Sequence, residues 1–147
     1  MTAATLHNII VTLNEKLLHT QKAKSKIKEE TYNEYKENSM NYLQLLSRYY
    51  PIEIYTRDTS IIYIPKVLSG ITFFVANKLY ENPNLNMEDL FEHFLSKINW
   101  AQKNMDFREI GLQYNERTKK YNVTNGVRGI KMIYQYLNVR YEEVLVK

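Results

Sequence analysis

The sequence predicts a single, mainly α-helical domain of about five helices with one small β-hairpin. Three observations carry that expectation. Four glycines and three prolines in 147 residues leave few breaks, too few for an all-β chain built on many tight turns. Apolar residues recur at the three-and-four spacing of a helical face along most of the chain. With 44% apolar and 24% charged residues the composition is that of a folded protein, and the length suits one hydrophobic core, not two.

The elements follow in order. Leu6, Ile9, Ile10, Leu13, Leu17 and Leu18 mark a first helix, with Thr2 or Thr5 available as N-cap. Lys22, Lys24, Lys26 and Lys28, then Glu29, Glu30, Glu34 and Glu37, read as a basic and then an acidic stretch of solvated surface, with a break near residues 24–28. Tyr32, Tyr35, Tyr42, Leu43, Leu46 and Tyr49 or Tyr50 continue a helical pattern until Pro51 stops it. Residues 1–50 therefore form the N-terminal helices.

Between Pro51 and Pro65 the period changes to two. Ile52 and Ile54 alternate with polar residues, Arg57 to Ser60 supplies turn residues, and Ile61 to Ile64 is β-branched and aromatic. Residues 51–65 are expected to be a hairpin or extended segment.

Residues 66–147 are expected to hold the C-terminal helices. Pro65 suits the first turn of a helix carrying Val67, Leu68, Ile71, Phe74, Val75 and Leu79 inward. Asn86 opens another helix, whose Met87, Leu90, Phe91, Phe94, Leu95 and Ile98 repeat through to about Lys103 and past Trp100. The polar stretch Asn115 to Asn122, flanked by Tyr114 and Tyr121, is either a hairpin or an exposed loop. Thr124 or Asn125 can cap a last helix with Val127, Ile130, Ile133, Tyr134 and Leu137 inward.

Several function classes are excluded at once. With no cysteine the chain has no disulfide framework, thiol nucleophile or cysteine-based metal site. The start MTAATLHNII lacks the pattern of a secretory signal, and no apolar run reaches the ~18 residues of a membrane span. The expectation is a cytoplasmic protein that enters no membrane.

Candidate chemistry is sparse. His7, His19 and His93 have no neighbour in sequence at metal-ligand spacing. Glu88, Asp89 and Glu92 can share a helical face, which a paired acid and base would need, but a first helical turn favours acidic residues anyway. Gly126 and Gly129 make a GxxG spacing like that of some RNA-binding loops, but the flanking αββα pattern is missing, so a flexible helix start is the better reading. No phosphate-loop, dinucleotide or nucleophile-elbow motif occurs. The expectation is therefore a non-enzyme with no cofactor and no metal.

The charge distribution is more informative. Formal net charge is +4. From Lys103 onward, Lys103, Arg108, Arg117, Lys119, Lys120, Arg128, Lys131, Arg140 and Lys147 outnumber Asp106, Glu109, Glu116, Glu142 and Glu143. Arg117, Lys119 and Lys120 lie between Tyr114 and Tyr121, the mixture that a phosphate-tracking, base-stacking surface uses. A solvated loop with two half-buried tyrosines is the plain alternative.

Read together, Ile98-Asn99-Trp100, Asn104, Phe107, the basic run Arg117 to Lys120, Asn122-Val123-Thr124 and the stretch Ile130 to Leu137 resemble the C-terminal region of DGQHR-type proteins, the group related to the DNA sulfur-modification regulator DndB. The resemblance extends from Leu68 to Leu137. The D-G-Q-H-R string and the family's ParB-like domain are not in these residues, so any activity of that domain is not carried over, and Phe107 stands where the family favours tryptophan.

What the resemblance implies is an association with DNA modification, defence or its transcriptional control. Two functional expectations follow. One is a non-enzymatic DNA-associated regulator or accessory protein of a modification, defence or phage system. There Arg117, Lys119, Lys120, Arg128 and Lys131 contact phosphates, and Tyr114 and Tyr121 stack or position. The other is a helical protein–protein interaction module, a subunit or inhibitor that docks by a helix face and self-associates, motivated by the abundance of tyrosine.

Overall fold

Helix α1, Ala3–Glu15, begins where Thr2 turns its hydroxyl back to accept from the Thr5 amide at 3.1 Å. The cap satisfies one of the amides that a helix start leaves unpaired. The computed structural model describes residues 1–16, 29–123 and 126–146. Leu17 and Leu18, His19, the lysines from Lys22 to Lys28, and the candidate caps Thr124 and Asn125 lie outside these residues.

Among the described residues the chain builds six α-helices and one two-stranded sheet, so the structure is mainly helical with a small hairpin. Helix α2, Glu29–Tyr49, stops at the residue before Tyr50-Pro51, because the residue preceding proline is pushed out of the helical region. Its Glu29, Glu30, Glu34 and Glu37 are exposed, as solvated charges should be. Helix α3, Pro65–Glu81, carries proline in its first turn, where the missing N–H costs nothing. Its Val67, Leu68, Ile71, Phe74 and Val75 are almost fully buried, with α1 against one side and α6, Gly126–Val146, against another. Gly70 allows the α3–α6 approach: a Cβ there would stand 2.7 Å from Ile133 Cβ and 3.0 Å from the Ile130 carbonyl oxygen.

Three sequence expectations are corrected. The first concerns residues 51–65, which form no hairpin. Three successive turns fill the segment, in which Tyr55 N–H donates to Pro51 O at 2.9 Å, Ser60 N–H to Thr56 O at 2.8 Å and Ile64 N–H to Ile61 O at 3.0 Å. Ile52 and Ile54 are 56% and 68% exposed, while Ile61, Ile62 and Ile64 bury in the core. The partner of this segment is remote: Ser60 bridges Ala101, and Ile61 N–H donates to Trp100 O at 2.9 Å. Tertiary packing has overridden β-branched propensity.

The second concerns the helix after Asn86. Asn86 does cap it, accepting from Glu88 N–H at 2.7 Å, but α4 ends at His93 and a single 3₁₀ turn, Leu95–Lys97, follows. The Leu95 carbonyl accepts from the Tyr50 hydroxyl at 2.5 Å. Ile98 is extended, with ψ 135°, so Trp100 sits beyond the helix and not at its end. The third is a short helix, α5, Asp106–Glu109, which the sequence pattern did not announce. Asn104 prepares it by accepting from Asp106 N–H at 3.1 Å.

The hairpin of this fold is β1, Gln113–Asn115, paired antiparallel with β2, Lys120–Asn122. Of the two readings of the Asn115–Asn122 stretch, the hairpin is the one adopted.

Candidate nucleic-acid interface

The register places Gln113 opposite Asn122, Tyr114 opposite Tyr121, and Asn115 opposite Lys120. Alternate side chains of a strand point to opposite faces, so the ribbon has an aromatic face and a polar one. Tyr114 and Tyr121 meet edge to face with ring centroids 5.0 Å apart. Tyr121 packs on Phe107 at 5.7 Å, and Phe107 stacks on Trp100 at 5.8 Å with planes only 11° apart. Trp100 is an anchor of this layer, its indole N–H donating to the Tyr50 hydroxyl at 3.2 Å.

Gln102 latches the ribbon to the body. Its side chain is buried, its Oε1 accepts from the Tyr121 amide at 2.8 Å, and its Nε2 donates to Arg57 O at 3.0 Å. Tyr121 closes the arrangement by donating its hydroxyl to Asn104 O at 2.6 Å. Burial raises the Tyr121 phenol above its ordinary pKa, so it stays a neutral donor.

The turn is equally ordered. Asn115 Oδ1 accepts from the amides of Arg117 and Thr118 at 2.9 and 3.1 Å, and Asn115 O accepts from Lys119 N–H at 2.7 Å. This is the local side-chain turn that asparagine forms readily. Lys119 completes it with φ 57°, in the left-handed region that favours glycine.

The predicted phosphate contacts divide into two groups. Lys120 is engaged: its Nζ lies 2.5 Å from Asp58, and that contact holds the Asp58 carboxyl below the usual carboxylate range. Arg108, near the same turn, pairs with Glu116 at 3.0 Å and lies over the Tyr114 ring at 5.7 Å. Arg117, Lys119, Arg128 and Lys131 are exposed and form no ion pair among the described residues. Arg128 lines a cleft of about 180 Å³ with Gln113, Asn122 and Met132, which brings the start of α6 beside the base of the ribbon. The two glycines of the GxxG spacing have separate local reasons: a Cβ on Gly129 would lie 2.5 Å from Val123 Cγ1, and Gly126 has φ 51°.

Of the two roles expected for Tyr114 and Tyr121, to stack or to position, this geometry leaves Tyr121 only the second. Tyr121 is only 3% exposed and Tyr114 is half-buried beside it. With Phe107 and Tyr114 against it, the Tyr121 ring is too covered for a base to stack on it.

Sequence spacing also passed over one cluster. On α4, Asp89, Glu92 and His93 bring ligand atoms within 4.8 Å of one another, all exposed. Glu88, the other carboxylate of that turn, pairs with Arg48 at 2.8 Å. Nothing in the environment of these groups separates them from ordinary surface charge.

No helix of the described residues is long and apolar enough to cross a membrane. Comparison with protein-family models, with curated proteins and with solved structures finds no match to this chain.

Proposed function

We propose that this protein is a non-enzymatic, DNA-associated accessory or regulatory protein that holds the phosphate backbone through the β1–β2 turn and the start of α6. One observation carries the reading. Four cations without ion-pair partners among the described residues stand on a turn fixed by three hydrogen bonds and on the neighbouring helix start. Lysine at the left-handed position supports it further. A non-glycine residue there costs about 1 kcal/mol or more, and it sets a cation at the tip of the turn. Lys120, Tyr114 and Tyr121 support the turn and do not touch the ligand. The setting implied by the likeness to DGQHR-type proteins, a modification, defence or phage system, belongs to the same proposal.

A gel-shift or anisotropy titration of a duplex across a salt series tests this. Four phosphate contacts give a slope of log K against log salt of about −3.6. Absence of binding at low salt, or an affinity and salt slope unchanged by neutralisation of Arg117 and Lys119 together, refutes it.

A second reading, a helical module that docks on a protein or on its own copy, is favoured by the end of α6. There Val139, Val144 and Leu145 are 56%, 52% and 67% exposed. Light scattering separates the two: a concentration-independent monomer that binds duplex supports the first reading alone.

A further inference from the structure

We infer that the outward face of the β1–β2 ribbon reads base edges in the major groove of duplex DNA, with Gln113 and Asn122 as the reading pair. This rests on the proposed nucleic-acid function and names the element and ligand class of that site. The two residues face each other across the strands and both are exposed. Neither side-chain amide is hydrogen-bonded among the described residues, unlike that of Gln102, whose Oε1 and Nε2 are both engaged in the core, and that of Asn115, whose Oδ1 is taken by the turn.

Shape and charge select the groove. A two-stranded ribbon fits the major groove, which is about 12 Å wide, while the minor groove is about half that. From the Gln113–Asn122 pair to the turn is three to four residues, or about 10–13 Å at roughly 3.4 Å per residue. Cations mark both ends of that length: Arg117 and Lys119 at the turn, and Arg128 lining the same cleft as Gln113 and Asn122. Glu116, the acidic residue of the turn, is held by Arg108. The ribbon can therefore lie across the groove with Arg117 and Lys119 against one backbone and Arg128, on α6 beyond the amide pair, reaching the other, which leaves the outward face toward the bases.

The aromatic face argues against a single strand as ligand. Binding to unpaired bases relies on accessible rings, and here Tyr121 is buried with Tyr114 packed on it. An amide side chain pairs with adenine by donating to N7 and accepting from the N6 amino group.

The experiment uses the full chain and four probes of equal length: a duplex with an A·T core, the same duplex with 7-deazaadenine, an all-G·C duplex, and a single strand. The expected result is a preference for the A·T core of roughly tenfold over G·C, abolished by 7-deazaadenine and by Asn122→Ala or Gln113→Ala. Both variants should keep the wild-type affinity for the G·C duplex and the wild-type melting profile. Equal, salt-dependent affinity for all duplexes overturns the inference and leaves the phosphate-contact reading standing. Tighter binding of the single strand overturns it in the same way. No binding to any probe at low salt overturns both.

Discussion

The inner face of the β1–β2 hairpin and its turn are held in different ways. On the inner face Tyr121 has its ring on Phe107, its hydroxyl on Asn104 O and its amide on Gln102. At the turn, three and four residues before it, Thr118 and Arg117 are held by their amides, which donate to Asn115 Oδ1, while their side chains meet solvent. The comparison separates what builds the surface from what is available on it. Tyrosine beside lysine is a binding signal only if the strand alternation leaves both on the same face, and here it does not.

The inner face is where substitution should do most damage. Phe107 is fully buried and touches Trp100, Tyr121 and Tyr136. Phe107→Ala is expected to cost about 3–5 kcal/mol, read by chemical denaturation, with loss of any nucleic-acid binding as the ribbon detaches. An unchanged midpoint would show that the ribbon is not part of the core. High pH attacks the core as a whole. Burial raises the phenols of Tyr42 and Tyr50 well above the ordinary value of 10.0. Their folded-state pKa exceeds the unfolded one, so this stabilisation is complete below about pH 10 and is lost as pH rises beyond it. Tyrosinate absorbance from these rings should appear together with loss of helical circular dichroism, and not before it.

Next in size is the latch. Gln102→Ala leaves the Tyr121 amide and the Arg57 carbonyl without their partner, a loss of roughly 1–3 kcal/mol for buried polar groups. Hydrogen exchange at Tyr121 should accelerate while exchange in α3 changes little. Uniform acceleration across both would mean that the ribbon and the helices open as one unit.

How much of this was legible in the sequence depends on the range of the interactions involved. Helices α1 and α3 were readable because Ile9, Leu13, Val67, Ile71 and Phe74 obey a local period, and Thr2, Pro65 and Asn86 mark their starts locally. The end of α4 was not, because the Leu95 carbonyl accepts from Tyr50, 45 residues away. The segment from Ile52 to Ile64 misled because its alternation has no amphipathic face: the first two isoleucines lie in solvent and the last three in the core. In the candidate site, Arg117, Lys119, Arg128 and Lys131 stood out as cations, and the structure leaves them exposed. That Lys120 is engaged depends on Asp58, 62 residues away, and that Tyr121 is covered depends on Phe107 and Gln102. No local pattern encodes either.

The turn supplies a smaller and more pointed comparison. Lys119→Gly removes a side chain from a left-handed position, so stability should rise by about 1 kcal/mol. If the proposed function is right, the same change weakens duplex binding and lowers the salt slope by about 0.9. A variant that is stabilised and binds as before would remove the argument from backbone strain.

The smallest expected effect sharpens the division between engaged and available cations. Asp58 and Lys120 form an exposed pair, and such pairs contribute little to stability. Asp58→Ala should therefore leave the melting profile unchanged, yet it releases Lys120 toward a ligand. Duplex affinity should rise, and the salt slope should steepen by up to about 0.9 if the freed ammonium gains a phosphate. Removing any acidic residue makes the chain more basic, so two controls are needed. Asp89→Ala makes the same charge change on α4, and Asp58→Ala combined with Lys120→Ala removes the released cation. A gain seen with Asp58→Ala, absent from the double variant and absent from Asp89→Ala, runs through Lys120. A gain of equal size in Asp58→Ala and Asp89→Ala would be a general charge effect, which the charge-neutral double variant would not show, and the pairing of Lys120 would then have no bearing on how the turn meets its ligand.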